Sequence, residues 1–238
     1  MRLDKLLLYK NLIGSKHKAE ALIMSGDVLV NGQAVSKPSK DVPESSEIAF
    51  KTKSRYVSRG GEKLEGALNF FRVSPEGMVC LDVGSSTGGF TDCLLQHGAK
   101  KVYCVDVGKG LLHWKLRNNP AVVVLEGRNF RYFNPENLKE CPKLVTIDVS
   151  FISLEKILPK IKETCKESAD VIALVKPQFE VERGGTRRGI VTDGKKRVLS
   201  LKKIMSFAES TGFGYKGHTE SPLKGAAGNI EYFVHWAK

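Results

Sequence analysis

Leu81-Asp82-Val83-Gly84-Ser85-Ser86-Thr87-Gly88-Gly89-Phe90-Thr91 is an apolar run that closes on a carboxylate, passes through glycines and opens a helical period. Glycine lets the backbone turn tightly and lets a ligand approach it, as in the βα turns that hold nucleotides. Asp106 follows twenty-four residues after Asp82, at the end of the next apolar run. Doubly wound sheets place a carboxylate there against ribose hydroxyls. Asp82 and Asp106, with Gly84, Ser85, Gly88, Gly89 and Phe90 between them, therefore describe a pocket for an adenosine-bearing cofactor. The spacing is not Gly-x-Gly-x-x-Gly, so NAD, with its pyrophosphate, fits less well than a nucleoside without phosphate. A glycine pair alone would mean no more than a tight turn; the carboxylates at both strand ends carry the functional reading.

Outward from this stretch, helical and strand-like patterns alternate. Helices are predicted over 62–71, 90–97, 154–165 and 195–210, and strands over 78–83, 101–107, 121–125, 144–149, 170–175 and 230–236. Short, nearly continuous apolar strands between helices predict an α/β fold with a parallel sheet covered on both faces. Residues 1–50 read as a separate small α+β unit, with helical periods over 3–9 and 15–24 and strands at 28–30 and 48–50. Asn31-Gly32 between Val28-Leu29-Val30 and Ala34-Val35 marks a tight hairpin turn, because both residues tolerate positive φ. Residues 51–58 are polar and cationic without an apolar period, which predicts a linker between domains 1–50 and 59–238.

Lysine plus arginine exceed aspartate plus glutamate by 38 to 26 in 238 residues, a formal charge of +12 that favours a polyanionic partner, nucleic acid first. Residues 1–60 carry eleven basic against six acidic residues, so 11 − 6 leaves +5 on the small unit. Apolar runs such as 171–175 are far too short to span a membrane. The start of the chain, with Asp4 beside a short Leu6–Leu8 run, does not read as a signal peptide, and a cytoplasmic location is expected. The five cysteines are widely spaced with no Cys-x-x-Cys, so buried thiols are expected and no metal site.

Two further charged residues stand at predicted strand ends. Asp148 closes the fourth strand in Ile147-Asp148-Val149-Ser150-Phe151, and Lys176 closes the fifth in Leu174-Val175-Lys176-Pro177-Gln178-Phe179-Glu180. Open α/β sheets bind ligands at these carboxyl ends. A lysine ending a buried strand is costly unless paired, although a lysine that merely snorkels to solvent is the bland alternative.

Taken in order and spacing, 82–91, 148–151, 175–180 and Gly228-Asn229-Ile230-Glu231-Tyr232-Phe233, with Ser58-Arg59-Gly60-Gly61-Glu62-Lys63-Leu64, resemble the TlyA-type ribosomal RNA 2′-O-methyltransferases. These are relatives of the FtsJ/RrmJ-like enzymes. The resemblance implies a seven-stranded Rossmann-like methyltransferase sheet, S-adenosylmethionine as cofactor and a Lys-Asp-Lys-Glu tetrad at Lys63, Asp148, Lys176 and Glu231. It also implies adenine contacts at Asn129 and ribosomal RNA or ribosomal subunits as partner, with the methyl going to a ribose 2′-hydroxyl, cytidine's by inheritance. Arg2-Leu3-Asp4, Ser15-Lys16, Ala19, Gly26-Asp27-Val28 and Val30-Asn31-Gly32 are similar to the αL-type RNA-binding domain of a small-subunit ribosomal protein. Arg2, Lys16, Lys18 and Lys37 are then phosphate contacts, which position RNA without reading its sequence, with ordinary surface charge an equal alternative. The basic, glycine-rich 183–189, with Arg187 and Arg188, is expected to close over RNA.

The chemistry suits these residues. A ribose hydroxyl is a weak nucleophile and gains from a group that accepts its proton. Lys176 is the expected base, provided that burial and a second cation, Lys63, disfavour its charged form, with Asp148 and Glu231 orienting both ammonium groups. Asp148-Val149-Ser150-Phe151 lacks the Asp/Asn-Pro-Pro-aromatic run of base-amino methyltransferases, and Phe151 is placed either to stack on a base or to pack in the core. The competing functions are a membrane-acting haemolysin, a label borne by members of that family, and a non-catalytic RNA-binding assembly factor. No long amphipathic stretch supports the first, and the intact tetrad opposes the second.

Overall fold

The computed structural model describes residues 1–50, 55–182 and 184–238. Contacts divide the chain into two compact units, Met1–Ser54 and Arg55–Lys238.

In the first unit, α1 (Leu3–Tyr9) and α2 (Lys16–Met24) precede three short strands, β1 (Val28–Val30), β2 (Gln33–Val35) and β3 (Ile48–Phe50). The strands pair antiparallel in the order β2-β1-β3. Asn31 and Gly32 take φ of +49° and +79°, the left-handed pair that a two-residue hairpin turn demands. Ser15 caps α2 by accepting from Lys18 N. Leu3, Leu6, Leu7, Ala19, Ile23 and Val28 are fully buried and form the core of this unit.

The second unit runs α3 (Arg59–Phe71), β4 (Val79–Val83), α4 (Gly89–Gln96), β5 (Lys101–Asp106), α5 (Trp114–Arg117), β6 (Val122–Glu126) and β7 (Leu144–Ile147). It continues with α6 (Leu158–Thr164), β8 (Asp170–Val175), α7 (Pro177–Glu180), α8 (Gly194–Ser210), β9 (Gly214–Glu220) and β10 (Tyr232–Ala237). Its seven strands lie in the order β6-β5-β4-β7-β8-β10-β9, parallel from β6 to β8, with β10 antiparallel to both neighbours. Separate apolar clusters cover the two faces, one around Leu81, Val145, Ile161 and Trp236, the other around Leu64, Cys80, Leu94 and Phe233. Residues of β4, β7 and β8 are thus buried in succession rather than in alternation, as expected of strands covered on both sides. Cys80, Cys93, Cys104 and Cys165 are buried free thiols.

Three elements differ from the expectation. β9 is polar and exposed along most of its length, and an edge strand held by backbone pairing to β10 alone needs no apolar period. The helix expected over 154–165 is a 3-10 turn at Leu154–Lys156 followed by α6, because Pro159 has no N–H to donate and is accommodated only in a first turn. Of the expected linker, 51–54 lie outside the described residues, while 55–58 are folded onto the second unit. Tyr56 is buried beneath Gly61, where a Cβ would strike its ring. Val57 N donates to Asp92 Oδ2 at 2.9 Å, and Gln96 Nε2 donates to Arg55 O at 3.1 Å.

Candidate active site

The strand order reverses between β4 and β7, and at such a switch point the connections leave to opposite sides and open a crevice. Two cavities meet there, of about 470 and 680 Å³, sharing Gly84, Ser86, Asp148, Ser150 and Phe151. Only glycine can occupy position 84: φ is +85°, and a Cβ would lie 2.5 Å from the Asp148 carbonyl oxygen. The turns after β4 and β7 therefore touch backbone to backbone.

The smaller cavity has apolar walls from Val107, Leu111, Phe130, Val149 and Ile152, and its polar groups include Asp106, Arg128, Asn129, Arg131 and the shared Asp148. Asp106 Oδ2 accepts from Ser86 N and Oδ1 from Gly108 N, both at 2.7 Å, so this carboxylate ties the turn after β4 to its own. Asn129 caps a 3-10 turn through Arg131 N at 3.2 Å. Behind this cavity stands Glu126, at the end of β6, which accepts from the backbone N–H of Gly110, Leu111 and Leu112 and pairs with Arg117 at 2.7 Å. Burial pushes the Glu126 carboxyl up, but these donors outweigh it and hold the group at about 2. Glu126 was not among the expected site residues, although a carboxylate ending the third strand is a signal of the same kind as Asp106.

The larger cavity is lined by the four residues of the expected tetrad, as two ion pairs. Lys63 Nζ, from α3, lies 2.6 Å from Glu231 Oε2, just before β10, with the side chains 10% and 3% exposed. Lys176, which precedes α7, places Nζ 2.6 Å from Asp148 Oδ1 as a charge contact and donates its hydrogen bond to Ser150 Oγ at 2.9 Å. Each cation thus faces one of the two carboxylates, Lys63 with Glu231 and Lys176 with Asp148. Gln178 Nε2 donates to Glu231 Oε1 at 3.2 Å, a neighbour that nothing in the sequence singled out. Ser85 Oγ, buried in the cavity wall, has no partner among the described residues. Phe151, 91% exposed and at φ +62°, stands over both cavities with its ring 5.1 Å from Phe179, which excludes the core-packing alternative.

Not every expected cofactor residue reaches this crevice. Asp82 is fully buried and lines neither cavity: Oδ2 accepts from Thr91 Oγ1 at 2.7 Å and Oδ1 from Thr146 Oγ1 at 3.1 Å, and burial pushes the carboxyl up to about 7. It braces β4, β7 and α4 from behind. Gly88 also stays out of the crevice, supplying the left-handed N-cap of α4 at φ +95° with Leu116 packed against it. Gly89 and Phe90 line the larger cavity, Gly89 where a Cβ would come within 2.9 Å of Gly61 N, Phe90 as a core ring 6.0 Å from Phe233.

Of the expected RNA contacts, Lys18, Lys37, Arg187 and Arg188 are exposed. Lys16 is exposed but 3.7 Å from Glu20, and Arg2 is committed to buried Asp4, at 3.0 and 2.7 Å. Arg2 thus serves first to satisfy a buried charge in its own unit.

A mixed sheet in this order, with one reversed strand and a crevice at the switch point, defines the Rossmann-like methyltransferase class. The chain belongs to the FtsJ-like methyltransferase family, which matches residues 56–238, and residues 1–48 match the S4 domain. It is 44% identical to Hemolysin A of Brachyspira hyodysenteriae over 99% of both chains. It is 42% identical to the 16S/23S rRNA (cytidine-2′-O)-methyltransferase TlyA of Mycobacterium tuberculosis, over 98% of this chain and 88% of that one. Among solved structures, a hemolysin candidate from Streptococcus thermophilus superposes with a TM-score of 0.79 at 43% identity, covering 100% of this chain and 88% of the other.

Proposed function

We propose that this enzyme transfers a methyl group from S-adenosylmethionine to a ribose 2′-hydroxyl of ribosomal RNA, cytidine being the target nucleotide, in the cytoplasm. The observation that carries the reading is the meeting of two ion pairs, Lys63–Glu231 and Lys176–Asp148, at the mouth of a nucleoside-sized cavity. The S4 match and the rRNA methyltransferase relative support the choice of RNA. The residues fit the cofactor: apolar walls and Asp106 and Asn129 suit its adenosine, and the unpartnered Ser85 Oγ suits its polar amino-acid end. When bound, the cofactor supplies a methyl group on a cationic sulfur, open to attack by an oxygen.

The protein's part is to position the hydroxyl and take its proton. Lys176, as the neutral amine once its ammonium has given a proton to solvent, is the proton acceptor, set by Asp148 and Ser150. Lys63, fixed by Glu231, balances charge beside it. Phe151 offers an unobstructed aromatic face on which a base splayed from the RNA can stack. Lys18, Lys37, Arg187 and Arg188 contribute phosphate contacts, which make binding salt-dependent.

The test is transfer of labelled methyl to ribosomal subunits lacking the modification, by wild type, Lys176→Ala and Lys176→Arg. Alkali-resistant label from wild type alone supports the reading, since arginine keeps the charge but cannot surrender a proton. Turnover by either variant removes Lys176 from the base role, and absence of label with any subunit or rRNA, cofactor binding being intact, sinks the RNA substrate. The relative named Hemolysin A supports a second reading, membrane lysis, although no helix among the described residues is long and apolar enough to cross a bilayer. Lysis of erythrocytes by the purified protein separates the two.

A further inference from the structure

Asn229 is 2% exposed, yet its amide carries two donors and an acceptor that must be satisfied. Both ends of the amide go to one short segment on the far side of the catalytic cavity. Nδ2 donates to Gly189 O at 2.8 Å, and Oδ1 accepts from Val191 N at 2.9 Å. The side chain thus brackets Ile190 as a neighbouring strand would, with one bond on each side of a single residue. Its own carbonyl accepts from Gly225 N at 2.9 Å, and Glu231 follows two residues later.

The bracketed segment is the stem of a tight turn. Arg187 N donates to Ile190 O at 2.8 Å and Ile190 N to Arg187 O at 3.0 Å, while Arg188 sits at φ +51°. Both arginines are exposed, and Gly189 and Asn229 line the larger cavity. Arg197 Nη1 ties the other side of the stem, donating to Val191 O at 3.0 Å and Thr192 O at 3.1 Å. An arginine pair on a loose loop would lose backbone and side-chain freedom on meeting RNA, whereas a stem already pinned spares that cost.

We propose that Asn229 is a positioning residue that holds the Arg187-Arg188 turn in place beside the catalytic cavity, so that RNA phosphate meets two cations already ordered. The proposal rests on the reading of RNA as substrate. Asn229→Asp tests it, because the variant keeps the shape and the acceptor for Val191 N but sets a carboxylate oxygen against the Gly189 carbonyl, leaving that carbonyl unsatisfied. Asn229→Ser, which removes the reach to both groups, stands in if the aspartate variant fails to fold.

The experiment is a double-mutant cycle on full-length protein, pairing the Asn229 variant with Arg187→Ala/Arg188→Ala. The readouts are RNA Kd at fixed salt, KM and kcat for RNA methylation, S-adenosylmethionine Kd, and trypsin cleavage after Arg187 and Arg188 in the free protein. Loss of one satisfied buried hydrogen bond predicts a rise of about tenfold in RNA Kd and KM, with S-adenosylmethionine Kd within about twofold. Combining the variants adds nothing further, and trypsin cuts the Asn229 variant faster than wild type. Losses that multiply across the cycle, unchanged cleavage, or a fall in kcat that saturating RNA does not restore each overturn the proposal. If wild type itself binds no RNA, the substrate reading has failed, and the cleavage comparison still reports on the pin.

Discussion

Gly225 lies against the Glu231 carboxylate, and replacing it with alanine puts the geometry of the proposed tetrad at risk without touching a charged residue. A Cβ built on Gly225 would stand 2.9 Å from Glu231 Cδ and closer still to Oε1. Ordinary contact between carbon atoms needs about 3.5–4.0 Å, so the carboxylate must retreat by roughly 0.6–1 Å. Oε2 is held 2.6 Å from Lys63 Nζ and Oε1 3.2 Å from Gln178 Nε2, so a retreat of about 1 Å away from these partners takes both beyond good hydrogen-bond range. Misplacement of about 1 Å in a catalytic constellation costs on the order of 10²-fold in rate. Overpacking at a buried site costs about 1–3 kcal/mol of stability. Gly225→Ala is therefore expected to lower kcat for RNA methylation by about two orders of magnitude, to leave S-adenosylmethionine affinity within about twofold, and to melt a few degrees early. Methyl-transfer kinetics at saturating substrates, calorimetric titration of the cofactor and a thermal melt supply the three numbers. A variant that turns over within threefold of wild type would show that the Lys63–Glu231 pair does not need its observed geometry, and the tetrad assignment would lose its structural basis.

Asp82 has a folded pKa near 7 against an ordinary value of 3.8, so the folded chain holds more protons than the unfolded one between those limits. Stability therefore falls as pH rises through that window and levels off above it, by at most about 4 kcal/mol at about 1.4 kcal/mol per pH unit. Asp82→Asn removes the slope, and its urea midpoint is expected to exceed that of wild type at pH 8 but not at pH 4; equal midpoints at both would contradict the burial argument. Phe151→Gly should relieve a left-handed backbone and raise stability by about 1 kcal/mol while slowing RNA methylation, with cofactor affinity unchanged. A melting temperature at or below that of wild type would show that the strain is not there.

Much of this protein is legible in its chain because the relevant signals are local. Apolar runs of strand length, helical periods between them and charged residues at run ends placed Asp106, Asp148 and Lys176 at the carboxyl edge of a parallel sheet. Asn31-Gly32 marked its hairpin for the same reason, since positive φ is a property of the residues themselves. Whether a side chain at a strand end faces the ligand or the core is not local: Asp82 lies one residue inside the end of β4, and Thr91 and Thr146 claim it. The polar run after residue 50 hid Tyr56, whose burial depends on a glycine in α3 with no side chain to obstruct it. β9 carried no apolar signal because its bonds to β10 are made by backbone groups that every residue possesses. The pairing among Lys63, Asp148, Lys176 and Glu231 was the least accessible. Sequence named Lys63 and Glu231, but their partnership spans 168 residues. Only the closing of β10 beside β8 brings the carboxylate to the lysine, because distance in space, and with it the Coulomb energy, is set by the fold and not by the chain.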